Sequence, residues 1–179
     1  MNFFKLVKNG NDEFYTPRYA IKPILKHLKG NEKVWCPFDT KDSNFVKMLE
    51  EKGHEVIATS LLNGEDFFEI AESETSDWAD VIISNPPYSL KIEILEKLFE
   101  IGKPFAMLVG SVGIFDSRKK YNMFKSNDFE LIIMNKRVDY FKDYNDQKPS
   151  KGSPFSSWYV CSKMLNEKII FEEIDKNDI

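Results

Sequence analysis

The sequence predicts an α/β domain built on a mostly parallel sheet, with an antiparallel hairpin at its C-terminal end. Three observations carry this. Apolar runs of strand length recur along the 179 residues, helical patterns separate most of the early runs, and only Lys163–Glu167 lies between the last two. Strands alternating with helices imply right-handed crossover units and a sheet covered on both faces. A connection of that short length suits an antiparallel pair.

Taken in order, the strand runs are Lys33–Cys36, Glu55–Thr59, Asp80–Ser84, Pro104–Val109, Phe129–Met134, Ser156–Ser162 and Lys168–Phe171. A first helix is predicted from Thr16-Pro17, as cap and first-turn residue, to Leu28 before Gly30, with Pro23 kinking it. A second starts at Ser43, keeps Phe45, Val46 and Leu49 on one face, and stops at Gly53. A third runs from Ser89 to about Phe99 and is closed by Gly102-Lys103-Pro104. Glu172–Asp178 reads as a solvated tail.

Composition narrows the class. Hydrophobic residues make up 42% and aromatics 14%, enough to bury a core in a single domain spanning residues 1–179. No apolar stretch reaches membrane-span length, and Met1–Gly10 lacks a signal-peptide core, so a cytoplasmic protein is expected. Cys36 and Cys161 are too few for a disulfide framework or zinc site; His27 and His54 have no ligand-spaced partner, so no metal is expected. A net charge of −4 counts against holding nucleic acid by bulk positive charge. These figures describe a soluble protein that works through a pocket.

In parallel sheets, ligands bind beyond the carboxyl ends of the strands. The third run leads directly into Asn85-Pro86-Pro87-Tyr88. Two prolines remove two backbone donors and hold the chain extended, leaving carbonyls to face a ligand. Asparagine supplies an acceptor and donors, and tyrosine a flat stacking surface. Together they suit a planar group that carries an amine.

This tetrapeptide resembles the Asn-Pro-Pro-Tyr motif of S-adenosylmethionine-dependent methyltransferases that modify exocyclic or amide nitrogens, above all the DNA adenine-N6 enzymes. Phe14-Tyr15-Thr16-Pro17 is similar to that family's N-terminal cofactor-flanking motif, and Gly64-Glu65-Asp66-Phe67-Phe68 to its adenine-contacting segment. Ser153-Pro154-Phe155-Ser156-Ser157-Trp158 resembles the late motif that supports the target base. Over its length the chain looks like the small phage- or prophage-borne adenine methyltransferases. The resemblance implies a Rossmann-like fold, S-adenosylmethionine as cofactor and nucleic acid, DNA before RNA, as substrate. It implies catalytic roles for Asn85, Pro86, Pro87 and Tyr88, with Tyr88 stacking on a flipped-out base. Cofactor contacts are implied for Tyr15, Thr16, Pro17, Pro37, Phe38, Asp39, Thr59, Ser60, Asp66 and Phe67. Phe155 and Trp158 would support the base.

Two departures stand out. Where the family has an acid, Pro, two variable residues and Gly, this chain has Cys36-Pro37-Phe38-Asp39-Thr40. Asp39 offers a carboxylate from a shifted position, and Thr59 or Ser60 stands where the ribose-binding acid is expected. No separate recognition domain fits the length. Residues 118–151 instead carry nine Lys/Arg against five acids, a net of +4, leaving −8 for the rest. Arg118, Lys119, Lys120, Lys136 and Arg137, interleaved with Tyr121, Phe124, Tyr140, Phe141 and Tyr144, are candidates for contacting phosphates and bases; the alternative is an ordinary solvated helix and loop. Asp143–Gly152 reads as a loop that orders over substrate. Other functions consistent with the residues are methylation of guanine amines in RNA or glutamine amides in protein, or a non-catalytic binding protein. A homodimer would compensate for the missing recognition domain.

Overall fold

The computed structural model describes residues 14–149 and 155–178. Lys151, Gly152, Ser153, Pro154 and the segment Met1–Gly10 lie outside those residues. In chain order the elements are α1 (Arg18–Leu25), β1 (Lys33–Cys36), α2 (Asn44–Glu51), β2 (Glu55–Ala58), a 3-10 turn (Leu61–Asn63), α3 (Phe67–Ile70), α4 (Glu74–Trp78) and β3 (Val81–Ser84). A second 3-10 turn (Tyr88–Leu90) leads into α5 (Lys91–Ile101), followed by β4 (Phe105–Gly110), α6 (Arg118–Ser126), β5 (Glu130–Met134), β6 (Ser157–Ser162) and β7 (Ile169–Glu172).

The strands form one sheet of order β2-β1-β3-β4-β6-β5-β7. Every pairing is parallel except the two made by β6, so β6 alone runs against the others. Strand side chains alternate between two cores. Val34, Cys36, Ile83, Leu108 and Tyr159 face α1 and α2. Trp35, Ile82, Met107, Val109 and Val160 face α5 and the inner side of α6. The α/β class and the mostly parallel sheet are as the sequence predicts.

The C-terminal pairing differs. β6 and β7 do run antiparallel, but β5 lies between them, and β7 pairs parallel to β5. β6 is already flanked by β4 and β5, so its successor has no adjacent slot and crosses the amino end of β5 to reach the edge. Glu130, buried at that end, organises the crossing. Its carboxylate accepts the backbone N–H groups of Lys163 (3.1 Å), Met164 (3.1 Å) and Leu165 (3.0 Å).

Two smaller expectations are corrected. Pro17, not Thr16, caps α1, and the helix ends at Leu25, where the chain tightens into a turn in which the His27 N–H donates to the Ile24 carbonyl at 3.1 Å. The residues after β7 are not a solvated tail. Ile174 is buried, its N–H donates to Asn135 (3.0 Å), and Lys176 and Lys22 pair with Asp139 and Asp178.

Replacing Glu130 with Ala leaves three loop N–H groups without their charged acceptor, a loss of about 3 kcal/mol. Urea titration should show Glu130→Ala with a lowered midpoint and an unchanged slope, and Glu130→Gln between it and the parent.

Candidate active site

A pocket opens at the carboxyl ends of β1, β2 and β3, where three strand-to-helix loops meet the segment before α1. Its floor is electrostatic. Asp39, two residues past the β1–α2 loop's proline, is buried, and its two oxygens accept hydrogen bonds from Ser43 Oγ and Ser84 Oγ, each at 2.5 Å. Ser43 is also the N-cap of α2, and Ser84 is the last residue of β3. Burial raises the Asp39 carboxyl from its ordinary 3.8 to about 6, against the lowering by the two serines. Tyr144, on the loop after β5, closes over this corner. Its ring lies 4.1 Å from that of Tyr15, and burial, then the charge of Asp39, push its hydroxyl pKa up.

A second wall is aromatic. Phe67 stacks on Trp35 at 5.6 Å and meets Phe38 at 5.1 Å, while Asp66 caps α3 by accepting the Phe68 N–H at 2.8 Å. Beside it, Glu65 Oε2 accepts the Ser60 N–H at 3.1 Å. Gly64 at φ +80° turns the chain so that Glu65, five positions beyond Ser60, returns to the end of β2. Both contacts recorded for Glu65 fall on Oε2, and its residue lines the pocket.

The third wall is Asn85-Pro86-Pro87-Tyr88. Asn85 Nδ2 donates to the carbonyl of Phe14 at 2.8 Å. A carbonyl only accepts, so this contact fixes the amide orientation and leaves Oδ1 as the side chain's uncommitted acceptor. Oδ1 is buried and, among the described residues, has no hydrogen-bond partner; Thr16 Oγ1 is in the same condition. Tyr88 sits in an aromatic cluster with Phe14 (5.5 Å), Phe155 (5.0 Å) and Tyr140 (6.1 Å). Lys142 Nζ lies 5.5 Å from the Phe14 ring.

Of the residues singled out from sequence, the pocket gathers Tyr15, Thr16, Pro37, Phe38, Asp39, Ser60, Asp66, Phe67, Asn85, Pro86, Pro87 and Tyr88. Thr59 is instead an acceptor for Trp35 Nε1 at 2.9 Å, and Pro17 caps α1. Phe155 touches Tyr88, whereas Trp158 packs in the core on the other face of the sheet. Lys119 pairs with Glu96 (2.8 Å), and Lys120 with Asp116 (2.6 Å) and the Gly113 carbonyl (2.6 Å). Lys136 and Arg137 are exposed just past the carboxyl end of β5, on the same sheet edge as the pocket. Sequence reasoning missed Glu65 and Tyr144 as pocket residues. The Asn63-Gly64 turn signal was the available clue to Glu65. Tyr144 had none, because its loop is brought over the site by contacts distant in sequence, the bridge between Tyr15 and Phe141 and the hydrogen bond from Asn44 to Gln147 (3.3 Å).

No family model matches the sequence, and no curated protein matches it. A solved structure does: one described as a modification subunit of a putative type I restriction enzyme from Vibrio vulnificus YJ016, at a TM-score of 0.57 and 13% identity. The match covers 96% of this chain and 50% of that one, so this chain spans about half its length. At that identity the likeness establishes the fold: this chain has the Rossmann-like architecture of that modification subunit.

Proposed function

We propose that the chain is an S-adenosylmethionine-dependent methyltransferase acting on the exocyclic N6 amine of adenine in nucleic acid, DNA foremost. The observation that carries this is Asn85 Oδ1. It is a buried acceptor without a partner among the described residues, on an amide held by the Phe14 carbonyl, and its residue lines a pocket that also contains the buried carboxylate of Asp39.

The lining fits that cofactor. Thr16 Oγ1 is a polar atom awaiting a partner, Asp39 is a carboxylate suited to an ammonium group, and Glu65 has an oxygen to accept from ribose hydroxyls. Phe38, Phe67 and Leu61 form an apolar slot for an adenine ring. When bound, S-adenosylmethionine supplies an electrophilic methyl on its sulfonium. The residues of the chain prepare the amine. Its lone pair is delocalised into the ring, so Asn85 Oδ1 and the Pro86 carbonyl accept its two hydrogens and favour a tetrahedral, nucleophilic nitrogen. Tyr88 stacks on the base and fixes the nitrogen for in-line attack. Positioning and electrostatics suffice, so no His or Cys nucleophile is required. Both cysteines are buried, and burial raises their thiols well above the ordinary value.

Several basic residues share the pocket's edge of the sheet: Lys142 at Phe14, Lys136 and Arg137 after β5, and Arg118 opening α6. That placement, together with a fold partner named as a restriction-enzyme modification subunit, favours a nucleic-acid substrate over a protein amide.

Asn85→Ala is expected to cut methyl transfer to adenine-containing DNA by about a thousandfold, with affinity for the demethylated cofactor product within a few-fold of the parent. Tritium-methyl transfer and calorimetry read the two quantities separately; full turnover by Asn85→Ala defeats the assignment. Glu65→Gln should weaken cofactor affinity roughly tenfold, measured by the same calorimetry.

Asp39 gives a pH signature. Its folded-state carboxyl titrates near 6, above the unfolded 3.8, so between those values the ligand-free fold holds the extra proton and loses stability as pH rises. An ammonium ligand prefers the ionised carboxylate. Cofactor affinity should therefore be level above about pH 6 and fall about tenfold per unit below it, opposite in sign to the stability trend. Asp39→Asn should bind weakly and without this slope.

A further inference from the structure

We propose that β7 is the contact strand of a homodimer, pairing antiparallel with the same strand of a second copy about a twofold axis through Ile170. β7 is an end strand of the sheet. On its inner side, the Lys168 carbonyl accepts from Leu131 N (2.8 Å) and the Glu172 carbonyl from Asn135 N (3.0 Å). By strand alternation, the N–H and C=O groups of Ile169 and Phe171 point away from β5, toward the edge. Their side chains are large and apolar, yet Ile169 is 49% and Phe171 78% exposed. A flat edge of this kind is a template for another strand.

The sequence Lys168-Ile169-Ile170-Phe171-Glu172 is complementary to itself when reversed. With Ile170 opposite Ile170, Ile169 lies opposite Phe171 and Lys168 opposite Glu172, twice over. The outward backbone groups belong to Ile169 and Phe171, the residues that this register makes hydrogen-bonded pairs, so all of them find partners. The two exposed apolar side chains of each copy cover those of the other. On the opposite face, Lys168 already pairs with Asp128, and Glu172 with Lys26 at 2.6 Å. The register joins these into an alternating row, Asp128, Lys168, Glu172, Lys26, across the interface. A twofold interface requires such self-complementarity. The other end strand lacks it: reversing Glu55-Val56-Ile57-Ala58 sets Glu55 opposite Ala58.

Apolar groups extend the patch beside β7. Phe115 is 46% exposed over the same surface depression as Ile169, and the half-buried Ile133 and Trp158 continue the row on the α6 face of the sheet. The pocket of Asn85 lies at the carboxyl ends of β1 to β3, across the sheet from β7, so both pockets of the dimer stay open.

Sedimentation of the full chain should give twice the monomer mass at tens of micromolar protein, and Phe171→Lys should give the monomer mass with an unchanged far-ultraviolet circular dichroism spectrum and cofactor affinity. In the proposed register an Ile170→Cys pair faces itself at disulfide distance, whereas two Phe171→Cys residues do not. Mild oxidation should therefore convert Ile170→Cys to a covalent dimer and leave Phe171→Cys monomeric; Cys36 and Cys161 are buried and do not compete. A wild-type chain that stays monomeric overturns the proposal. So does a dimer that survives Phe171→Lys, or one in which Ile170→Cys and Phe171→Cys cross-link alike.

Discussion

The carboxylate of Asp39 is the constraint on which the site depends. It is buried, and its hydrogen bonds tie the loop after β1 to Ser43, the N-cap of α2 four residues on, and to Ser84, 45 residues on at the end of β3. Ser84 is the residue before Asn85. The acid at the floor of the pocket therefore also fixes the strand end that leads into Asn85. Ionising a carboxylate in such a place is costly, and the raised pKa measures that cost. The two serine hydroxyls offset part of it; a cation in the pocket would offset more.

A second dependence runs through the chain before α1. The Phe14 carbonyl orients Asn85, the Tyr15 backbone bridges to Phe141 in both directions (2.9 and 3.1 Å), and the Thr16 carbonyl accepts from Asn44 at the start of α2. Three consecutive residues thus connect the Asn85-Pro86-Pro87-Tyr88 turn, the aromatic loop carrying Tyr144, and the helix that Asp39 holds through Ser43. The amide of Asn85 cannot rotate without breaking the first of these links, and Tyr144 cannot lift without disturbing the second. Orientation of one side chain and closure of one loop are set by the same short stretch.

Much of this was legible in the sequence, because local chemistry decided it. The seven strands, the caps at Ser43 and Gly53, and the stop at Gly102 follow from periodicity and from residues whose backbone preferences are strong. Asn85 and its prolines announce themselves for the same reason. What failed was non-local. The pairing of β7 was hidden because nothing in Lys163–Glu167 reveals that β6 already has neighbours on both sides. Trp158 belongs to the stretch that resembles the late base-supporting motif, but strand alternation sends it to the other face. Thr59 and Ser60 looked like the only polar substitutes after β2, since a carboxylate returning from five residues on depends on the left-handed turn at Gly64.

The reversed strand explains why so small a chain has a complete pocket edge. A parallel strand brings only its carboxyl end to the ligand side of the sheet, and its successor must cross over to return. β6 runs the other way, so its amino end enters at that side, and Phe155, just before it, arrives beside Tyr88 without any extra element. The approach is close: a Cβ on Gly110, paired with Ser157 at the end of β4, would sit 3.1 Å from the Phe155 ring. Glycine at that point is what lets the incoming chain lie flat over the sheet's edge. The same reversal fixes what happens at the far side. With β6 between β4 and β5, the chain leaving it emerges at the amino edge, where Glu130 gathers the crossing loop, and its last strand can only be added outside β5. The wall of the pocket and the exposed edge carrying Ile169 and Phe171 are thus two consequences of one antiparallel insertion.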